Sequence, residues 1–149
     1  MICSKILTDI HIKYITFQLI KALKYIHSAN IIHRDLTTNN IMIDKNSNAK
    51  IVDFSLAISL NDKSSCNFAI NDYIQTRWYR APELLLNAVI YDQSVDMWSV
   101  GCILAEMIIG KILFKGNSTI NQLSLIMELI GVPTADEIGI YKFVFSKLN

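Results

Sequence analysis

The stretch HRDLTTNN, from His33 to Asn40, combines residue types that can accept protons and bind metal ions. Asp35 follows the His by two residues, Asn40 follows Asp35 by five, and a second carboxylate, Asp53, comes further along the chain. A carboxylate can act as a general base, and oxygen ligands of this kind suit Mg²⁺. A single Asp in a loop is more commonly a turn residue or a cap, however. The neighbouring motifs therefore have to decide between these two interpretations.

Three more motifs follow the first. They are VDFSLA (Val52 to Ala57), TRWYRAPE (Thr76 to Glu83) and DMWSVGCILAEM (Asp96 to Met107). In this order and at these separations, the four motifs resemble the C-terminal lobe of a eukaryotic protein kinase, and more narrowly that of a mitogen-activated protein (MAP) kinase. The resemblance extends from about Thr8 to about Pro133. It implies a mainly α fold with a short β-hairpin, which is half of the α+β bilobal kinase fold.

The resemblance assigns roles to the residues that could do chemistry. It makes Asp35 the base that accepts the proton of the substrate hydroxyl, and Asn40 the ligand of one Mg²⁺. Asp53 would hold the Mg²⁺ that bridges the phosphates of ATP, so ATP and Mg²⁺ are the expected cofactors. These residue types fit the chemistry, because phosphoryl transfer depends on positioning and on metal ions that neutralise charge.

Five further residues receive supporting roles from the same resemblance. His33 and Phe54 are expected to stack in the hydrophobic column that links the two lobes of a kinase. Asp96 is expected to anchor the backbone of the catalytic loop from the helix that contains it. Glu83 would pair with an Arg that lies later in family members, and Arg80 would belong to the folded activation segment.

The segment between Asp53 and Glu83 corresponds to the activation segment, where the family has a Thr-x-Tyr phosphorylation site. This chain has NDY there, so Tyr73 is retained and Asn71 replaces the threonine. Arg34 and Arg77 are the expected regulatory residues, and by resemblance Arg77 and Arg80 are either partners of a phosphotyrosine or part of the segment's fold. A bidentate Arg to phosphate pair would order the loop. The alternative is that Tyr73 is a packed aromatic residue that is never modified.

Several residues depart from the family pattern. Thr37 replaces the Lys that neutralises the transferring phosphate, a loss expected to cost about 10² to 10³ in rate. Ser55 replaces the Gly of D-F-G, which would strain the placing of Asp53 if position 55 requires a positive φ. Ile58 stands where the family has an Arg that receives the phosphothreonine, and that threonine is also absent. Both changes together predict relaxed or rewired regulation.

The spacing of apolar residues predicts the elements that position these motifs. A helix is expected from Asp9 to His27, with Thr8 or Asp9 as N-cap. Two β-rich runs should form a hairpin that turns at Lys45 to Asn48. The sequence further predicts a long loop from Ser55 to Pro82, a helix from Ser94 to Gly110 that is buried on all sides, and a helix from about Ser118 to Ile130 that Gly131 and Pro133 terminate.

Composition excludes some classes of function. The net charge of +1 gives no electrostatic argument for binding nucleic acid or an anionic membrane, so neither partner is expected. The three cysteines form neither a disulfide framework nor a zinc pattern, which favours a reducing, intracellular compartment, cytoplasmic or also nuclear. Glu106 interrupts the best candidate for a membrane span.

Two functions remain open at this point. The first is a MAP-kinase-like serine/threonine kinase that acts on proteins in its complete form and answers to upstream activating kinases. The second is a catalytically inactive, pseudokinase-like interaction module, or a truncated relic. Residues 1–149 are expected to be a partial kinase domain without the N-lobe and the last C-lobe helices, because no Gly-rich loop or partner lysine precedes Asp9. The chain alone is therefore expected to show no kinase activity.

Overall fold

A computed structural model describes residues 7–61, 76–88 and 91–134 of the 149-residue chain. Most of these residues are helical or lie in loops, and the strands are short. The elements in chain order are α1 (Asp9–Ser28), β1 (Ile31–Ile32), a 3₁₀ helix (Thr38–Asn40), β2 (Ile41–Ile43), β3 (Ala49–Ile51), β4 (Ile58–Ser59), a second 3₁₀ helix (Thr76–Tyr79), α2 (Pro82–Leu85), α3 (Ser94–Ile109) and α4 (Thr119–Ile130). This composition confirms the prediction of a mainly α fold with a short hairpin.

Helix α1 begins at a capping box. The Thr8 side chain accepts the backbone N–H of His11, and the His11 ring accepts the N–H of Thr8 at 3.2 Å. Both bonds satisfy donors that a helix N-terminus leaves without partners. The apolar face buries Ile15, Leu19 and Leu23 against the core, which confirms the predicted helix.

Strands β2 and β3 form the predicted antiparallel hairpin, with Ile41 opposite Ile51 and Ile43 opposite Ala49. The turn depends on Asp44, whose Oδ1 accepts the backbone N–H groups of both Asn46 and Asn48. Asp and Asn favour turns because their side chains form such hydrogen bonds with backbone groups a few residues away. The hairpin is joined to α1 because Gln18 Oε1 accepts the N–H of Ala49 at 3.0 Å.

A second two-stranded sheet was not predicted. Strand β4 pairs with β1, so Ile58 lies opposite Ile32 and both side chains are buried. The expected long loop from Ser55 to Pro82 therefore contains a strand and also the 3₁₀ helix Thr76–Tyr79, while residues 62–75 lie outside the described ranges. Elements of two to four residues are too short to show periodicity in the sequence. They form because of contacts with segments that are distant along the chain.

Helix α3 is packed on one face only. Val100, Ile103 and Met107 are buried in the main core, whereas Met97 is 44% exposed and Ile108 is 63% exposed. The apolar pattern alone predicts burial on all sides, whereas in the described part of the chain α3 leaves apolar surface open. An apolar sequence does not show which faces meet a neighbour, since that depends on where the other elements lie. The helix ends at Gly110, whose φ of 75° gives the left-handed C-cap that favours glycine.

Helix α4 begins at Ser118, whose hydroxyl accepts the Asn121 N–H at 3.1 Å, and it ends before Gly131 as predicted. Gln122 is fully buried, and its Oε1 accepts the backbone N–H of Gly116 at 2.9 Å. A Cβ at Gly116 would lie 2.5 Å from that oxygen, so the close approach requires glycine. Among the residues described, no helix combines the length and apolar character needed to cross a bilayer.

Candidate active site

Asp35 and Asn40, the two residues of HRDLTTNN with expected catalytic roles, are in direct contact. The Nδ2 group of Asn40 donates to the backbone carbonyl of Asp35 at 2.8 Å and to its carboxylate Oδ2 at 3.0 Å. The other carboxylate oxygen, Oδ1, is buried and has no hydrogen-bond partner in the described ranges. One oxygen is therefore fixed by the protein, and the other is a buried acceptor whose hydrogen-bonding capacity is not used by the described residues.

The surroundings of Asp35 raise the pKa of its carboxyl above the ordinary value. Burial is the main cause, because it disfavours the charged form, and the nearby charge of Asp53 acts in the same direction. The positive charge of Arg80 and the bond from Asn40 oppose this effect without cancelling it. A higher proton affinity is the direction that a general base requires.

Asp96 joins the catalytic loop to helix α3. Its carboxylate is fully buried and accepts the backbone N–H of His33 and that of Arg34, each at 2.9 Å. A third donor, His27 Nε2, lies 2.8 Å from Oδ2. Arg34 has a left-handed backbone with φ of 64°, a conformation that costs about 1–3 kcal/mol for a residue with a side chain. The bonds to Asp96 hold the loop in this conformation.

His33 is fully buried and connects three parts of the site. Its Nδ1 is 3.3 Å from the backbone N–H of Asp35, and its Nε2 is 3.2 Å from the carbonyl of Val52. The first nitrogen must accept and the second must donate, which defines the neutral tautomer. The Phe54 ring meets the imidazole edge-on, with centroids 4.8 Å apart. His33 thus ties the loop that contains Asp35 to the segment that contains Asp53.

Asp53 is exposed and ionised. Its carboxylate accepts the backbone N–H of Ser55 at 3.3 Å, and hydrogen bonds from the Ser55 side chain and backbone lower the pKa of Asp53 below its usual value. The left-handed residue in this turn is Asp53 itself, with φ of 64°, whereas Ser55 does not have a positive φ. Position 55 therefore carries a Cβ without the backbone strain considered for it.

The donor set fits a magnesium ion that a nucleotide brings with it. The nitrogen of the Asn40 amide is used by Asp35, which leaves the amide oxygen as a ligand, and Asp53 offers an ionised carboxylate. The described part of the chain contains no cluster of three or more His, Cys, Asp or Glu that could hold a metal by itself. Such a cluster is not required, because Mg²⁺ commonly binds one or two carboxylates together with substrate phosphates.

The two threonines of the loop have different partners. Thr37 is buried, and its hydroxyl accepts the backbone N–H of Asn39 at 3.2 Å, so this position caps the short 3₁₀ helix and supplies no cation. The Thr38 hydroxyl lies 3.0 Å from the phenol oxygen of Tyr79, which donates to Glu106 at 2.5 Å. Sequence reasoning missed Thr38, Tyr79 and Glu106, because these residues are brought together only by the tertiary fold.

The expected regulatory residues are only partly described. Arg34 is buried, and its guanidinium donates to the carbonyl of Leu56 at 2.7 Å and to the hydroxyl of Tyr91 at 2.9 Å. Arg77 and Arg80 are also buried and take part in polar or electrostatic contacts. Tyr73 lies outside the described residues, as does Asn71. Arg34 therefore has a hydroxyl partner in a segment that the motif analysis did not single out.

Glu83 lies in α2 and is partly buried. Its backbone carbonyl accepts the N–H of Ala88 at 2.9 Å. Its carboxylate makes no hydrogen bond or ion pair with any residue in the described ranges, and the Arg partner expected for it is not among them. The pairing of Glu83 remains a prediction.

Comparisons of the sequence with known proteins identify its family. The model of the protein kinase domain matches residues 2–142. The chain is 47% identical over 149 residues to extracellular signal-regulated kinase 2 of Dictyostelium discoideum, an alignment that covers 98% of this chain and 40% of that protein. It is 53% identical over 137 residues to mitogen-activated protein kinase 15 of Xenopus laevis, covering 91% of this chain and 23% of the relative. Mitogen-activated protein kinase p38a of Drosophila melanogaster is 47% identical over 130 residues, with 87% and 34% covered.

The chain thus spans well under half the length of these relatives, at 23% to 40%. The family match nevertheless includes every motif from HRDLTTNN to DMWSVGCILAEM, since all of them lie within residues 2–142. The buried Asp96 contacts, the Asp35 and Asn40 pair and the exposed Asp53 all lie in these matched motifs. The chain belongs to the protein kinase family and is a MAP-kinase-like member of it.

Proposed function

We propose that residues 1–149 are part of the kinase domain of a protein serine/threonine kinase, which in complete form transfers the γ-phosphate of ATP to Ser or Thr hydroxyls of proteins. The observation that supports this most directly is the Oδ1 of Asp35, a buried acceptor without a hydrogen-bond partner in the described ranges. Its partner oxygen is bonded to Asn40, so the carboxylate has one fixed orientation. A buried acceptor with no partner is costly and requires an explanation, and a substrate hydroxyl that donates to it during function is the explanation that fits the proposed reaction.

Asp35 would act on the substrate hydroxyl. The carboxylate would accept the hydroxyl proton as the substrate oxygen attacks the γ-phosphorus, while the bond from that phosphorus to the bridging oxygen breaks and ADP leaves. The raised pKa of Asp35 favours the proton transfer. Asn40 keeps the carboxylate oriented, and its own amide oxygen, together with Asp53, would hold Mg²⁺. When bound, the metal ion neutralises the charge that the transferring phosphoryl group develops.

The substrate class follows from the family. We expect protein substrates with Pro after the phosphoacceptor, because TRWYRAPE is the sequence that implies this preference by resemblance. We also expect control by upstream activating kinases and a cytoplasmic or nuclear location. A positional peptide library measures the preference directly. Equal phosphorylation of peptides with and without Pro after the phosphoacceptor would contradict it.

The test of the activity uses the complete protein, because residues 1–149 alone are expected to show no kinase activity. We expect Asp35→Asn to lower kcat by about 10²- to 10⁴-fold, because the base is lost and the shape is kept. The matched control is Asp44→Asn, which changes the same residue type in the exposed hairpin turn and should leave kcat unchanged. Equal activity of the Asp35→Asn and parent proteins would reject the assignment of Asp35 as the base.

Thr37 favours a second candidate, an interaction module that binds a nucleotide or partner and transfers nothing. The Thr37 hydroxyl caps the loop and no cation stands at that position. The loss of such a charge costs about 10²- to 10³-fold in rate, which could leave binding as the main remaining property. Incorporation of radiolabelled phosphate distinguishes the two candidates. A kinase would lose incorporation in Asp35→Asn, whereas for an interaction module the Asp35→Asn and parent proteins would show the same background level. The module would still bind Mg²⁺ and ATP, or a partner.

A further inference from the structure

Three hydroxyl and carboxylate groups form a chain from the catalytic loop to helix α3. Thr38 Oγ1 lies 3.0 Å from Tyr79 Oη, and Tyr79 Oη lies 2.5 Å from Glu106 Oε2. Tyr79 is buried, and the other two groups are partly buried. Tyr79 is also held at its backbone, because its carbonyl accepts the Ser99 hydroxyl at 2.8 Å. Helix α3 therefore fixes both ends of Tyr79.

The direction of each hydrogen bond follows from the number of protons. A phenol has one proton, and the short bond to a carboxylate uses it. Burial, followed by the bond to Glu106, raises the pKa of Tyr79, so the phenol keeps its proton at neutral pH. Its oxygen can then only accept from Thr38. The Thr38 hydroxyl is therefore the donor that attaches the loop to Tyr79.

The point of attachment lies between the two residues that would do the chemistry. Thr38 is the first residue of the 3₁₀ helix Thr38–Asn40. It therefore lies between Asp35 and Asn40 in the loop. Within this stretch two other restraints are local: Asn39 N–H donates to Thr37 Oγ1 at 3.2 Å, and Asn40 N–H donates to the Thr37 carbonyl at 3.1 Å. A third comes from the strand side, where the Asn40 carbonyl accepts the Val52 N–H at 3.0 Å. The bond from Thr38 reaches further along the chain, to a residue 41 positions away.

We propose that Thr38 is a positioning residue for the catalytic loop, which it holds to helix α3 through the hydroxyl of Tyr79 and the carboxylate of Glu106. The inference rests on the proposed function for its meaning, because it concerns the residues that present Asp35 and Asn40. The Thr38 hydrogen bond would hold the loop in this chain although Thr37 replaces the lysine that the family has at position 37.

The experiment uses the 149-residue chain without nucleotide, so a failed phosphotransfer assay would not affect it. Thr38→Val removes the hydroxyl and keeps the branched shape, while Thr38→Ser keeps the hydroxyl. Two signals are followed by NMR: the ¹³Cζ resonance of labelled Tyr79, identified by its absence in Tyr79→Phe, and the hydrogen exchange of the Asn39 and Asn40 amides. The matched control is Thr16→Val, because Thr16 donates only to Ile12 within α1, at 2.8 Å.

We expect Thr38→Val to shift the Tyr79 resonance and to speed exchange at Asn39 and Asn40 by about two- to tenfold, the effect of losing one hydrogen bond. Thr38→Ser should restore both signals, and Thr16→Val should change neither. If Thr38→Val does not fold, Tyr79→Phe removes the same bond from the other side and should speed the same amides. Unchanged loop exchange, equal acceleration of the α1 amides, or no recovery in Thr38→Ser would each overturn the proposal.

Discussion

The contacts of Asp96 make a sharp prediction about the substitution Asp96→Asn. Asp96 Oδ1 accepts the N–H of Arg34, and Oδ2 accepts the N–H of His33 and lies 2.8 Å from His27 Nε2. An asparagine has the same shape but only one acceptor oxygen. If that oxygen faces His33 and His27, the Arg34 N–H meets an NH₂ group and loses its partner.

The expected loss of stability follows from counting these bonds. A buried donor left without a partner costs about 1–3 kcal/mol, and each of the two remaining bonds weakens by about 1 kcal/mol because its acceptor is no longer charged. The sum is about 3–5 kcal/mol, which is a large part of the roughly 5–15 kcal/mol that stabilises a typical domain. With a urea m-value of about 2 kcal/mol/M, the midpoint should fall by roughly 1.5–2.5 M.

Urea denaturation followed by circular dichroism measures this change. The matched control is Asp92→Asn, which alters an exposed carboxylate just before the same helix. The Oδ1 atom of Asp92 accepts the Ser94 N–H at 2.8 Å. We expect Asp92→Asn to cost less than about 1 kcal/mol, as for an exposed cap. If the two substitutions lower the midpoint equally, or if Asp96→Asn costs less than about 1 kcal/mol, the reasoning from the three buried donors is wrong.

Two further predictions concern ionisable side chains. Hydrogen bonds from the Asn48 side chain and backbone lower the pKa of Asp44 in the folded hairpin. The ionised carboxylate therefore stabilises the hairpin fully at pH values above the ordinary pKa of an Asp. This stabilisation is lost as the pH falls through the lowered pKa of Asp44. Asn48→Ala should raise the Asp44 pKa toward its ordinary value in a ¹³C NMR titration, and an unchanged titration would contradict the assignment. Burial raises the pKa of the Cys102 thiol to about 12, so iodoacetamide at about pH 8 should modify Cys102 only as fast as the chain unfolds. Rapid labelling of Cys102 in the folded chain, detected by mass spectrometry, would count against this burial.

Local patterns were sufficient for the longer elements. The spacing of apolar residues and the cap at Thr8 predicted α1, and the polar turn after Asp44 predicted the hairpin. In each case the determining contacts lie within a few residues along the chain, where sequence reasoning is strongest. The motif order likewise pointed to Asp35 and Asn40, which the structure brings into contact.

Contacts between distant segments could not be predicted in the same way. The bond of Arg34 to Tyr91 joins residues 57 positions apart, and that of Thr38 to Tyr79 joins residues 41 apart. Neither pair has a spacing that a helix or hairpin would produce. The apolar pattern did not show the exposed face of α3 for a related reason, because burial depends on neighbouring elements and Ile108 has the same side chain as the buried Ile103.

Arg34 and Asp53 have one backbone feature in common that sets two requirements against each other. Both have φ of 64°, a conformation that glycine adopts at no steric cost. Glycine at position 34 would remove the guanidinium that bonds to Leu56 and Tyr91, and glycine at position 53 would remove the ionised carboxylate. At position 53, folding stability alone would favour glycine while the proposed chemistry requires the carboxylate, so a variant library screened only for thermal resistance could lose Asp53. At position 34, the lost bonds to Leu56 and Tyr91 oppose the relief of backbone strain, so the same screen has a reason to keep Arg34.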